Sequence, residues 1–319
     1  MKQILVSGSS AYDNLMHFDG DFKNEFSTGN IDKAINMSVL SSSFEKNHGG
    51  TGANIAYNLA LLGESPVLLT SVGDDYIFSD VITEKINLKY VHRQQFTHSA
   101  QSMIISDEND NRITVFHPGA MKYAGDSKFS YVQEPLALAI VSANDISTML
   151  QHAREINESE LKLIIDPAQQ ISQMSQQELR ELIHLGDILI VNHNEYSDLQ
   201  IGAGLTEDNL KQTFDTIIVT YGAQGSQIFT GDEILHIPAI EIENIDDTTG
   251  AGDAYRAGLL YSIVEGLDIK TGCQLGTVLA SYCILAPGSQ QHHFSYGAVM
   301  EDMKNHFGVD IDLYEKRKY

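Results

Sequence analysis

Short aliphatic runs recur along the chain with helix-length stretches between them: Ile4 to Val6, Val67 to Thr70, Leu136 to Val141, Leu161 to Ile165, Ile188 to Val191 and Ile217 to Thr220. Their apolar character is continuous rather than alternating, as strands of a parallel sheet covered by helices on both faces require. The intervening segments supply those helices. Asn54 to Leu62 is one, stopped by Gly63, and Glu178 to Leu185 is another, stopped by Gly186. The pattern predicts an α/β fold, doubly wound around a mainly parallel sheet.

Two stretches depart from this rhythm, roughly Tyr12 to Lys46 and Val91 to Phe116. They are polar and tend to alternate, as in Ser38-Val39-Leu40-Ser41 and Ser102-Met103-Ile104-Ile105-Ser106. They predict half-exposed antiparallel strands, and the turn-rich Asp107 to Asn111, between Ile105 and Ile113, predicts a hairpin connection. The expected organisation is a main α/β domain of residues 1–11, 47–90 and 117–319, with 12–46 and 91–116 forming a small discontinuous β-sheet that suits a lid. No internal repeat, low-complexity tract or linker rich in Pro, Gly or Ser suggests a second independent domain.

At 319 residues, 42% of them hydrophobic and 20% charged, the composition is globular and leaves room for the core of an enzyme. Lys and Arg number 20 against 43 Asp and Glu, a net charge of −23, which speaks against nucleic acid or anionic membrane as partner, since both attract cationic faces. Only Lys316-Arg317-Lys318 is locally basic, and it reads as solvated surface. Cys273 and Cys283 show no paired zinc or redox spacing and read as small apolar residues of a reducing compartment. No signal-type apolar core follows Met1 and nowhere do about 18 apolar residues run together, so the expected location is cytoplasmic.

The sharpest chemical signal is Asp247-Thr248-Thr249-Gly250-Ala251-Gly252-Asp253-Ala254-Tyr255-Arg256-Ala257-Gly258, followed by a helical pattern. With no side chains at Gly250 and Gly252, backbone N–H groups at a helix start converge on one point and the helix dipole adds to them, which makes an anion site. A carboxylate beside an anion hole repels what the hole attracts. Asp253 makes sense there if it accepts a proton from a nucleophile attacking phosphorus; the alternative is a glycine turn with Asp253 as a helix-start cap. No Walker loop and no G-x-G-x-x-G after the first strand competes for the phosphate. Arg256, one helical turn beyond Asp253, is placed either to neutralise phosphate or to pair with a surface carboxylate. His92, His98, His292 and His293 lack the partners of a zinc site and read as surface or packing residues.

Gly49-Gly50-Thr51-Gly52-Ala53-Asn54 near the front and Asp247 to Gly258 near the back resemble the two signatures of the ribokinase family, also called phosphofructokinase B type, over nearly the whole chain. The family fold is a doubly wound α/β domain with a β-sheet lid. Ser7 to Met16, Phe116-His117-Pro118-Gly119-Ala120-Met121, Asp166-Pro167-Ala168-Gln169-Gln170 and the Tyr255-Arg256 pair are most similar to bacterial adenosine kinases. Tyr255 stands where the signature more often has Phe, so its hydroxyl needs a partner if buried.

The resemblance implies an ATP-dependent kinase. Asp253 aligns with the catalytic base that takes the proton of the acceptor hydroxyl, and Gly250, Ala251 and Gly252 with the donors to the transferring phosphoryl. Asn192-His193-Asn194-Glu195 fits the family's N-x-x-E pattern, which helps place Mg²⁺ and phosphate; read without the family, Asn192 is a helix cap and Glu195 a surface residue. Thr220-Tyr221-Gly222-Ala223-Gln224-Gly225 resembles the T-x-G-x-x-G nucleotide segment, which by itself is a turn between two strands. For the acceptor the candidates are Asp13, Gly49, Gly50 and Asn54, with Ser9 as a further one: Asp13 holds a ribose diol, the glycines let backbone approach, and Asn54 offers donor and acceptor together. Phe116 and Met121 either bracket the acceptor base or pack the lid core. Asp247 and Thr249 overlap the region where some members hold a monovalent cation, so K⁺ joins ATP and Mg²⁺ as a candidate cofactor.

Three functions compete: transfer of the γ-phosphoryl of ATP to the 5′-hydroxyl of adenosine, with inosine or guanosine as close variants; a kinase of a free sugar such as ribose or fructose; and a non-catalytic nucleotide-binding protein. The intact Asp253 loop disfavours the last, and the Asp13, Phe116 to Met121 and Tyr255-Arg256 segments favour adenosine. Exposed lid edges fit either a monomer or a homodimer through the lid.

Overall fold

A computed structural model of the chain describes residues 2–27, 38–109 and 111–311. Residues 28–37 of the expected lid, Asp110 of the expected turn and the basic tail Lys316-Arg317-Lys318 lie outside them. The chain opens with β1 (Gln3–Ser7), leaves the main sheet for β2 (Ala11–Phe18), α1 (Phe22–Ser27) and β3 (Ser41–Gly49), and returns through α2 (Thr51–Leu61) to β4 (Val67–Leu69). Next come β5 (Ser71–Gly73), α3 (Asp80–Lys85), β6 (His92–Gln94) and the hairpin of β7 (Ala100–Asp107) and β8 (Arg112–His117). Strand and helix then alternate through β9 (Leu136–Ser142), α4 (Ile146–Glu158), β10 (Leu163–Asp166), α5 (Gln176–Leu185), β11 (Ile188–Asn192), α6 (His193–Ala203), α7 (Glu207–Thr213) and β12 (Thr216–Thr220). The strands β13 (Ser226–Thr230) and β14 (Glu233–Ile237) precede α8 (Ala251–Val264), α9 (Ile269–Cys283) and α10 (Tyr296–Phe307).

The main sheet has eight strands in the order β14-β13-β12-β11-β10-β9-β1-β4. It is parallel from β4 to β12 and ends in the antiparallel β13 and β14. The continuous apolar runs are explained by two cores that share the strands residue by residue. Ile4, Val6, Ile164, Ile188, Ile190 and Ile218 pack toward α2, α8 and α9, while Leu5, Leu163, Ile165, Leu189, Val191 and Ile217 pack toward α4, α5 and α6. Neither face of such a strand reaches water, so no polar alternation survives. Both cysteines are fully buried in the first core.

A four-stranded sheet in the order β3-β2-β7-β8 stands apart from the main one. Here one expectation is corrected: β2 pairs with β3, and β7 with β8, in antiparallel fashion, but β2 and β7 run parallel, with Ala11 opposite Ala100 at the buried root of the sheet. Alternation reports that one face is solvated and carries no information on strand direction. Ser38, Val39 and Leu40 are outside any strand, Leu40 being 87% exposed, and β6 pairs with β5 in a separate two-stranded sheet. Because directly opposed residues share a face, Asn47, Asp13, Ser102 and Phe116 form one row across this sheet.

Candidate active site

Parallel strands gather their carboxyl ends on one edge of a sheet, where open α/β folds bind ligands. Asn192 and Thr220, the last residues of β11 and β12, are paired with each other there and line a cavity of about 820 Å³. The start of α8 faces the same cavity with Gly250, Ala251, Gly252 and Asp253. Gly250 is the N-cap at φ +83°, in the left-handed region, and a Cβ on it would lie 2.5 Å from Ser289 Cβ, so conformation and space both demand glycine. The amides of Gly252 and Asp253 lie ahead of the first intrahelical bond, Ala254 N to Gly250 O, and Ala251 N–H reaches Thr248 O at 3.3 Å.

Asp253 makes no cap bond at the helix start. It is 8% exposed, and its Oδ2 accepts a 2.8 Å bond from Asn54 Nδ2. Burial pushes its carboxyl up to about 7; Arg256 and the Asn54 bond pull the other way, and Asp166 and Asp13 add to the rise. A carboxylate that exchanges its proton near neutrality is suited to general-base work.

Arg256 pairs with a carboxylate, but a buried one. Its Nη2 donates to Asp166 Oδ1 at 2.5 Å, and Ser142 Oγ donates to Asp166 Oδ2 at 2.5 Å, with Asp166 fully buried. The guanidinium also lies against the glycine loop, since a Cβ on Gly252 would meet Arg256 Nη1 at 2.6 Å, and Arg256 lines the cavity. Burial opposes its charge, yet Asp166, Asp253 and Glu195 outweigh burial and hold it cationic. Asp166 shows in the sequence only as a lone acid ending the aliphatic run Leu163-Ile164-Ile165, at the ligand-binding edge of the sheet.

Asn192 caps α6: its Oδ1 accepts from Asn194 N and Glu195 N, and Glu195 Oε2 accepts from Asn192 N at 2.8 Å. Glu195 is nonetheless a half-buried cavity residue, its carboxyl raised by burial against the pull of Arg256. Thr220, Gly222 and Gly225 line the cavity within the hairpin turn from β12 to β13, so the turn between two strands and the cavity wall are the same residues. Ile240, Ile242 and Ile245 supply an apolar wall, which shows in the sequence only as isoleucines scattered among polar residues between β14 and α8.

None of the acceptor candidates lines this cavity; Asn54 joins it through the bond to Asp253, and the Asp13 charge is felt at the same carboxylate. A Cβ on Gly49 would sit 2.2 Å from Asp13 Oδ2, so the missing side chain makes room for that carboxylate. Burial raises the Asp13 carboxyl, a Ser102 hydrogen bond lowers it, and Asp247 raises it. Gly50 is the N-cap of α2 at φ +92°, and Ser9 Oγ accepts from Thr51 N at 3.2 Å. Asn54 is 4% exposed with both ends of its amide engaged inside the protein. Phe116 is 45% exposed in the row with Asp13, whereas Met121 is buried with Ala11 and Ala100. Asp247 accepts from Thr249 N, Thr249 Oγ1 and Gly288 N, which ties down the loop that leads into α8.

The buried Tyr255 hydroxyl finds its partner in Ser226 Oγ at 2.7 Å, joining α8 to β13. Tyr255→Phe should therefore strand the Ser226 hydroxyl and cost about 1 kcal/mol in a urea melt; a variant as stable as the parent would contradict the bond's contribution.

Residues 26–293 match the model of the pfkB family of carbohydrate kinases. The structure is similar to that of a Burkholderia thailandensis nucleoside kinase in complex with inosine, with a TM-score of 0.88 and 31% identity over 97% of this chain and 100% of that one. The same enzyme in complex with ADP-inosine gives a TM-score of 0.84 at 32% identity over 97% and 98% of the two chains. A nucleoside kinase of Methanocaldococcus jannaschii is 29% identical over 85% of this chain and 90% of its own, and a ribokinase of Lactococcus lactis is 28% identical over 86% and 91%.

Proposed function

The chain belongs to the pfkB family of carbohydrate kinases, phosphotransferases with a hydroxyl acceptor, and from that premise we propose that it transfers the γ-phosphoryl of ATP to the 5′-hydroxyl of a purine nucleoside, inosine ahead of adenosine. The observation that carries this reading is the likeness, over 97% of the chain, to a nucleoside kinase solved with inosine and with ADP-inosine. The expectation of adenosine in particular gives way to this broader class, because the relatives are named for nucleosides and not for adenosine.

In this reading Asp253 takes the proton of the 5′-hydroxyl as that oxygen attacks phosphorus. The amides of Gly252 and Asp253 at the start of α8, with Gly250 and Ala251 shaping the turn, receive the transferring phosphoryl. Arg256, held at one end by Asp166, presents the rest of its guanidinium to the phosphate charge. Thr220, Gly222 and Gly225 line the nucleotide's phosphates and sugar, and the isoleucine wall takes the adenine. Asp13 accepts from the ribose diol, and Phe116, on the same face of the lid, covers the base.

Among the described residues no cluster of three His, Cys, Asp or Glu can hold a metal. That suits Mg²⁺, which binds through one carboxylate, waters and substrate phosphates rather than in a protein cage. Glu195, half-buried beside Arg256, is the carboxylate that fits, with Asn192 fixing its position. The ion would neutralise phosphate charge when bound.

A free sugar is the second reading, favoured by the Lactococcus ribokinase likeness and by an Asp13 site that would serve any vicinal diol. ADP release from MgATP, measured with inosine, guanosine, adenosine, ribose and fructose against a blank without acceptor, separates the two. The purine nucleosides should turn over at least about tenfold faster than either sugar, since the base contributes binding energy a sugar lacks. Turnover with ribose or fructose alone would leave Asp253 in its role and remove the purine.

A further inference from the structure

The side chain that holds Asp253 is itself held. Asn54 Nδ2 donates to Asp253 Oδ2 at 2.8 Å, while Asn54 Oδ1 accepts from Gln290 Nε2 at 2.8 Å and from Ser289 Oγ at 2.9 Å. Asn54, Asp253, Ser289 and Gln290 are 4%, 8%, 1% and 7% exposed, so bulk water does not compete for these bonds.

A carboxylate only accepts, which obliges the amide to turn its NH₂ toward Asp253 and its carbonyl toward the other pair. Both of those must then donate. Ser289 has one hydrogen and two acceptors in reach, Asn54 Oδ1 and His48 O at 3.0 Å, so its donation is divided. Gln290 Nε2 gives an undivided one. Reversing the Asn54 amide would set its carbonyl against the carboxylate and its NH₂ against another NH₂, two mismatches in a buried site.

We propose that Gln290, seconded by Ser289, is a positioning residue for phosphoryl transfer, fixing the Asn54 amide in the one orientation that donates to Asp253. The inference rests on the reading of Asp253 as the base. The same loop reaches the lid as well: Gln291 Nε2 donates to Asn47 Oδ1 at 2.6 Å, and Ser289 reaches His48, so β3 and the base are tied through residues 288–291. Nothing local in the chain reports this contact, since Gln290 lies 236 residues from Asn54.

The groups that face Asp253 are Arg256 on its own helix, Asp166 on β10, Asp13 on β2, Cys283 on α9 and Asn54 on α2. Of these only Asn54 is oriented by Gln290, so the pH dependence of turnover isolates the effect. The test compares pH profiles of kcat with MgATP and inosine for the parent, Gln290→Met, Gln290→Glu, Ser289→Ala and Asp253→Asn, with melting temperatures in parallel. Gln290→Met keeps the length but cannot donate. Its acid limb should move up by about one pH unit as Asp253 loses a steady donor, and its plateau kcat should fall by one to two orders of magnitude. KM for inosine should change less than about threefold, because the acceptor's own contacts are intact. Gln290→Glu, an acceptor once ionised, should move the limb further. A purely structural role would lower the melting temperature and leave the limb in place. An unmoved limb in folded Gln290 variants overturns the proposal; if neither folds, Gln290 side-chain amide protons that exchange with D₂O in the parent as fast as those of free glutamine do so, because no standing bond would then hold Asn54. Near-normal turnover of Asp253→Asn would instead sink the base assignment itself, which the Gln290 profiles alone do not touch.

Discussion

Asp253→Asn is expected to bind inosine and MgATP and to turn over at least about a hundredfold more slowly than the parent. The substitution keeps the shape of the side chain and removes the proton acceptor. Asn54 would still have a carbonyl to donate to, so the buried network survives and the loss falls on the chemical step. The parent's own pH profile carries the same information. Because burial raises the Asp253 carboxyl to about 7, against the pull of Arg256 and Asn54, the fraction ionised falls as pH drops through that value. Turnover should then decline tenfold per unit below about pH 6.5 and be level above about 8. A profile flat from pH 5.5 to 8.5, or an Asn variant within threefold of the parent, would remove Asp253 from the reaction.

The second large effect is on stability. Asp166→Ala leaves the Arg256 guanidinium, itself only 8% exposed, without the one direct ion-pair partner it has among the described residues. Breaking a buried pair on one side costs about 3–5 kcal/mol, far more than the pair gains over an apolar substitute. A urea melt should show that loss for the single variant. Turnover should fall too, since Asp166 holds the fork that leans on Gly252. The double variant Asp166→Ala with Arg256→Met discharges both partners and should recover most of the stability without recovering turnover. A single variant within about 1 kcal/mol of the parent would mean that water reaches and solvates the guanidinium after all.

What could be read from the sequence, and what could not, divides along a physical line. Features set by local pattern were legible. Ile4 to Val6 and Ile188 to Val191 show as buried parallel strands because each feeds two cores in turn, and Gly250-Ala251-Gly252-Asp253 shows as a helix start because glycine and a following helical pattern are adjacent in the chain. Strand direction in the lid was not legible, since alternation at Asp13 to His17 is the same whichever way β7 runs beside it. The partners of functional side chains were hidden for a similar reason. Asp166 lies 90 residues from Arg256, and Asn54 lies 199 from Asp253; only the closed fold brings them to hydrogen-bonding distance. The resemblance to a family placed Asn54 near the acceptor, and the structure shows its amide engaged with Asp253, Ser289 and Gln290.

The most direct measurement is the identity of the product. The protein is incubated with MgATP and inosine, and the mixture followed by ³¹P NMR with proton coupling retained. The expected result is a new monophosphate resonance split by the two 5′ protons of inosine 5′-monophosphate, growing in step with ADP and absent with Asp253→Asn. ADP formed no faster than without inosine, or phosphate carried by another oxygen of the nucleoside, would contradict a kinase that activates the 5′-hydroxyl at Asp253.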